Sequence, residues 1–99
     1  MRVSVVPIDK AITVDGIGAI LTEWPFNDSD IHAIQWYGTE GEIEYPYQLP
    51  SKAPRRANEA ITDEATVQPY VAAHKAFLIA QQAEREKAKA EGEAANKAG

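Results

Sequence analysis

The 99-residue chain has no cysteine, one methionine and no apolar run close to the roughly 20 residues that a bilayer-spanning helix needs. Without cysteine there is no disulfide framework, no thiolate metal site and no thiol nucleophile. Without a long apolar run the chain is expected to have no membrane helix. Basic residues are in short supply: 10 Lys plus Arg stand against 15 Asp plus Glu, for a formal net charge of −5. Nucleic-acid binders carry a basic footprint, so this balance argues against nucleic acid as a partner. A secretory signal is not expected either. Behind Arg2 the apolar run is broken by Pro7, Asp9 and Lys10, short of the roughly 7–15 apolar residues such a signal uses. The expected compartment is therefore the cytoplasm.

What is present falls into two halves that meet near residue 62. Residues 1–61 hold both Trp, five of the six Pro and three of the four Tyr. Residues 62–99 are rich in Ala, Glu, Lys and Gln. The expected fold is α+β: a small antiparallel β meander of four to five strands, then one long C-terminal helix. The β module with its Pro-rich connector takes 1–61, and the helix with its polar tail takes 62–99. Together they make one structural domain with a helical extension.

In the first half, Val3 and Val5 fall on one face of an opening strand, and Ile12 and Val14 on one face of a second. Asp15-Gly16 then predicts a hairpin, because a type I′ turn needs φ > 0 at both central residues. Ile17–Thr22 returns as a third strand. Pro25 and Asn27-Asp28-Ser29-Asp30 mark an irregular link that ends before Ile31. Trp24 and Phe26 flank Pro25 and are expected to fold back on the sheet as a lid. Ile31–Tyr37 alternates, with Ile34 and Trp36 on one face and Ala33, Gln35 and Tyr37 on the other. A Gly38–Gly41 turn leads to a strand over Glu42–Tyr45. Pro46–Ala60, with Pro46, Pro50 and Pro54, reads as an extended connector.

In the second half, Thr62 and Thr66 are credible helix N-caps and Pro69 fits a first turn, so the regular helix is expected to start near Thr66. The stripe Val67, Tyr70, Val71, His74, Phe77 and Leu78 has steps of 3, 1, 3, 3 and 1. It spans about 18 Å and can pack on the sheet or on copies of itself. After Ile79 no large apolar residue follows. Gln81–Gly99 has high helix propensity but little to bury, and Glu84–Lys87 and Glu86–Lys89 offer i, i+3 charge pairs. It is expected to be solvated, and to fray when the chain is alone.

No residue set predicts catalysis, a cofactor or a metal ion. His32 and His74 are the two histidines and lie in no ligand spacing; a sheet-face role and a helix-packing role are the expected ones. Glu42 and Glu44 share a strand face about 7 Å apart, but on an exposed hairpin they read as a solvated face rather than a glycosidase pair. Asp28-Ser29-Asp30 lacks the remainder of a calcium loop, and Gly16-Ile17-Gly18 lacks the third glycine and helix of a nucleotide loop. Lys52, Arg55 and Arg56 form a small basic cluster best read as rim salt-bridge partners. No nucleophile, base and orienting group assemble from this sequence, so an enzyme is not expected. The large aromatics are better candidates for function. Trp24, Trp36, Tyr37, Tyr45 and Tyr47 are many rings for a small sheet, and such rings anchor interfaces as well as cores.

The strings Val3-Ser4-Val5-Val6-Pro7, Val14-Asp15-Gly16, Ile31-His32-Ala33-Ile34-Gln35-Trp36-Tyr37-Gly38 and Gly41-Glu42-Ile43-Glu44-Tyr45 resemble a group of small bacteriophage proteins. Members of that group carry an N-terminal β module and an Ala- and charge-rich helical tail, and are commonly encoded beside tail or tail-fibre genes. The resemblance covers about half the chain in detail and the tail in composition. It implies a tail-associated structural protein that docks on a tail or tail-fibre subunit and forms a homo-oligomer through its C-terminal helix. The alternative is a tail-fibre assembly chaperone that leaves before the virion is complete. Either is found in the host cytoplasm during assembly, and the first also in the virion tail. The residues expected to meet a partner are Trp24, Trp36, Tyr37 and Tyr45, together with the helix stripe of Val67, Tyr70, Val71, His74, Phe77 and Leu78. If that stripe instead packs on the chain's own sheet, a self-contained monomer is favoured.

Overall fold

A computed structural model describes residues 1–46 and 56–98 and shows an antiparallel sheet followed by one long helix, an α+β fold. The strands are β1 (Val3–Val6), β2 (Ala11–Val14), β3 (Ile17–Ile20), β4 (Ala33–Trp36), β5 (Gly41–Glu44) and β6 (Glu59–Ile61). Helix α1 runs over Gln68–Ala98. The sheet order is β3-β2-β1-β4-β5-β6, and every neighbouring pair is antiparallel. Two three-stranded meanders thus join along β1 and β4, with β3 and β6 as edges.

The β2–β3 hairpin has the two-residue turn that the sequence predicts. Asp15 and Gly16 sit at φ 48° and 82°, and Val14 pairs with Ile17. The turn is tied to the start of β1: the Arg2 amide donates to Asp15 Oδ1 at 2.8 Å, and the Asp15 amide donates to the Arg2 carbonyl at 2.9 Å.

Register places the core on one face. Val14, Val3, Trp36, Gly41 and Ile61 line up across five strands, and Ala19, Ile12, Val5, Ile34 and Ile43 form the next row. Val5, Ile12, Ile34 and Val67 are the largest side chains sealed within it. The opposite face carries the row Gly18, Thr13, Ser4, Gln35, Glu42 and Ala60, whose residues are small or polar. This is the one-dry, one-wet arrangement of an antiparallel sheet.

Six strands replace the expected four or five. The extra one, β6, lies in the segment read as connector, because three residues with one inward apolar side chain, Ile61, give too short a period to detect. Residues 47–55 of that connector, including Tyr47, Lys52 and Arg55, lie outside the described residues. The helix start also differs in detail. Asp63, not a threonine, caps a short 3₁₀ turn over Glu64–Thr66 by accepting the Ala65 amide at 2.9 Å, and the regular helix begins at Gln68 with Pro69 in its first turn.

Candidate functional site

Helix α1 meets the sheet through its first turns only. Val67, Tyr70 and His74 are buried, and Val71, Phe77 and Leu78 pack partly against the same core. The stripe expected as an oligomer seam is therefore largely used on the chain's own sheet. His74 is fixed there by a hydrogen bond from Nε2 to the Ile17 carbonyl at 2.7 Å; a carbonyl can only accept, so Nε2 carries the proton. This ties the helix to edge strand β3.

From Ile79 to Gly92 every residue of the helix is exposed. The whole helix has 31 residues and is about 46 Å long, and its stretch over 79–92, about 21 Å, covers nothing in the described chain. The pairs Glu84–Lys87 and Glu86–Lys89 do not close within ion-pair distance; Gln82 reaches Glu86 instead at 3.1 Å. A shallow groove of about 370 Å³ lies on this arm between Leu78, Ile79, Gln82, Ala83 and Glu86.

The link between β3 and β4 builds the most developed constellation. Trp24 and Phe26 do fold back, as expected of a lid, and meet Tyr70 of the helix. The Trp24 and Phe26 rings stand edge to face at 5.0 Å, and Phe26 lies 4.3 Å from Tyr70 between ring centres. Beneath them is Asp28, only 4% exposed. Its Oδ1 accepts the Trp24 indole N–H at 2.8 Å and its Oδ2 accepts the Tyr70 hydroxyl at 2.6 Å. Burial raises the Tyr70 phenol well above the ordinary tyrosine value, and the hydrogen bond to Asp28 and its negative charge add to the shift. The backbone of Asp28 closes the turn as well, accepting the Ile31 amide at 2.9 Å. The sequence showed Asp28 only as a turn residue. The one local signal for its side chain is an indole four residues before it; the second donor comes from the helix.

Beside this clamp is a cavity of about 330 Å³, lined by Ile8, Trp24, Phe26, Asp28, Ile31 and His32 among others. Ile8 stands at its rim, 84% exposed.

The other expected interface aromatics separate. Trp36 is in the core, 3% exposed, and its buried Nε1–H has no partner among the described residues. It is there for its area rather than for its polar edge. Tyr45 is also covered. Its hydroxyl donates to Glu59 at 2.6 Å and its ring carries the Arg56 guanidinium at 3.9 Å, while Arg56 pairs with Glu59 at 3.8 Å. The Glu59 hydrogen bond, followed by burial, raises the Tyr45 phenol, against the opposing Arg56 charge. Tyr37 alone of the four is exposed, at 48%. It reaches Glu42 at 3.2 Å on the wet face, next to a hollow of about 210 Å³ that Arg2, Ser4, Thr13 and Gln35 help to line.

Among the described residues no group of three or more His, Asp or Glu is arranged to hold a metal ion, and no helix is long and apolar enough to cross a membrane. Compared with protein-family models, curated proteins and solved structures, the chain finds no match.

Proposed function

We propose that this chain is a docking and assembly protein of a bacteriophage tail, in which the β module seats on a tail or tail-fibre subunit and the helix reaches to a second chain, another copy of itself. The observation that carries the docking role is the helix arm. A helix that packs on nothing is marginal in water, since helices in proteins draw most of their stability from a packed face. Fourteen consecutive exposed residues, 79–92, therefore support a role in which a partner covers them. The groove at Leu78, Ile79 and Ala83 offers the apolar contact for the second copy, and Tyr37 on the wet face offers an aromatic anchor for the tail subunit. The tail setting rests on the sequence resemblance of residues 1–45.

A second reading, a transient tail-fibre assembly chaperone, is favoured by one specific observation. Val67, Tyr70 and His74 bury themselves on the chain's own sheet, which supports a fold that is complete without a partner.

Mass spectrometry of intact virions from the encoding phage separates the two. A fixed number of copies per particle is expected for the structural role. Absence from particles, with abundance in the infected-cell lysate, transfers the role to the chaperone. A chain that neither enters particles nor co-purifies with any tail protein overturns both.

A further inference from the structure

We propose that the cavity beside Asp28 is a binding site for a primary alkylammonium group, a chemistry shared by free alkylamines and by the lysine side chain of a partner protein. This goes beyond the docking role and does not depend on it.

The first ground is charge. Asp28 is buried, and its two oxygens accept from an indole N–H and a phenol O–H, both neutral donors. Among the described residues no Lys, Arg or His nitrogen lies within 4.0 Å of it. Buried carboxylates are ordinarily paired with a counter-charge, and Asp28 meets none among the described residues. The second ground is shape. Asp28 is among the residues that line a cavity of about 330 Å³, within the size range of small-ligand sites. The third is the wall. Its lining includes the aromatic residues Trp24 and Phe26, the aliphatic residues Ile8 and Ile31, and His32. Aromatic faces attract a cation, and the aliphatic wall suits an alkyl stem. A metal ion would need more oxygen ligands than one carboxylate supplies. An anion would meet Asp28 directly. An ammonium on a short alkyl chain satisfies the carboxylate, the rings and the apolar wall together.

The test is a titration of the ¹⁵N-labelled full chain with n-butylammonium, read at the Trp24 indole N–H. The chain has two Trp, so a Trp24→Phe variant assigns the two indole signals. Saturable movement of the Trp24 signal is expected with butylammonium and none with 1-pentanol, its neutral counterpart of similar size. Asp28→Asn is expected to weaken binding by about tenfold or more. Because Asp28 also holds Tyr70, a second variant guards against misfolding. Ile8→Lys puts a competing ammonium at an exposed rim position and is expected to weaken binding to a similar degree with an unchanged circular dichroism spectrum. A parallel titration with N-acetyl-lysine amide distinguishes the sources. If it binds, the lysine of a partner is accommodated; if butylammonium alone binds, the ligand is a free amine. No saturable shift with butylammonium, or an equal shift with 1-pentanol, overturns the proposal.

Discussion

Tyr70 donates its hydroxyl to the Asp28 carboxylate at 2.6 Å across 42 residues of chain, which fastens the helix to the irregular link between β3 and β4. With the Trp24 indole on the other oxygen, this bond joins three parts of the sequence that have no local reason to meet. Hydrogen bonds to a charged acceptor contribute about 1.5–3 kcal/mol, and a buried acceptor left short of a donor costs its desolvation as well. Tyr70→Phe keeps the ring against Phe26 and removes only the hydroxyl. Urea unfolding of the variant is expected to show a loss of about 1.5–3 kcal/mol. A loss below the error of the extrapolation would mean that the clamp is not closed in solution.

The same bond has a pH signature. Burial and Asp28 raise the Tyr70 phenol in the folded chain above its ordinary value of 10.0. The folded state therefore holds that proton more tightly than the unfolded state. The stability this confers is whole below about pH 10 and is lost as the pH rises above it towards the folded-state value. Thermal unfolding between pH 8 and pH 11 is expected to show a decline that begins near pH 10 and is shallower in Tyr70→Phe. Tyr37 and Tyr45 shift in the same direction, so some slope persists in the variant. Identical slopes in both proteins would remove Tyr70 from the account.

Two glycines are expected to differ in what they tolerate. Gly41 pairs with Trp36 on one side and Ile61 on the other. A methyl group there would run into the Gln35 carbonyl oxygen and the Trp36 Cα, both backbone atoms that cannot rotate away. Gly16 has open space around it but a φ of +82°, so a side chain there meets only the left-handed backbone penalty. Gly41→Ala is expected to cost about 3 kcal/mol through overpacking, and Gly16→Ala about 1 kcal/mol. Melting temperatures of the two variants rank them, and the reverse order would contradict the register of β4 on β5.

The features legible in the sequence are those with a local cause. Asp15-Gly16 announces its turn because few residue pairs accept two positive φ angles in succession. Ile34 and Trp36 announce the core face of β4 by alternation, and Tyr37 falls on the wet face by the same rule. His74 keeps the stripe's period although it is polar, and its burial follows from position rather than residue type. The features that stayed hidden have distant causes. Asp28 sits in a run of turn-forming residues, and nothing near it reveals that a helix tyrosine will take its second oxygen. Strand β6 exists because β5 offers an edge to pair with, which no three-residue window encodes. Likewise, the amphipathic stripe of α1 fits a sheet or a second helix equally well, and only the packed structure distinguishes them.

The stripe's position on the sheet gives a stability prediction for its outer part. Phe77 and Leu78 pack against the core cluster but stay half-buried. Full burial would make each large-to-small change worth about 2–5 kcal/mol, so half-buried sites are expected near the lower end. Phe77→Ala and Leu78→Ala should each lower monomer stability by about 2 kcal/mol in denaturant unfolding. If both leave the unfolding midpoint unchanged and alter only the sedimentation coefficient, the two side chains serve a contact between copies and not the sheet.

Beyond these residues the helix is expected to be dispensable to the fold. Residues 79–92 are exposed, and the core cluster ends at Leu78. Surface residues with no buried contact contribute within about 0.5 kcal/mol, and local helix propensity alone sustains such a segment weakly. A chain ending at Ala80 should therefore melt at nearly the temperature of the full chain and keep its aromatic circular dichroism. Amide exchange should show the same division in the intact protein, slow in β1 and β4 and fast along the arm, because few buried contacts oppose its local opening. Dilution provides the control. If the arm is protected at high protein concentration and exchanges freely at low concentration, a second copy covers it, in agreement with the assembly role. Protection that persists at every concentration in a sedimenting monomer would show that the arm folds on its own account, and the case for a missing partner would fail.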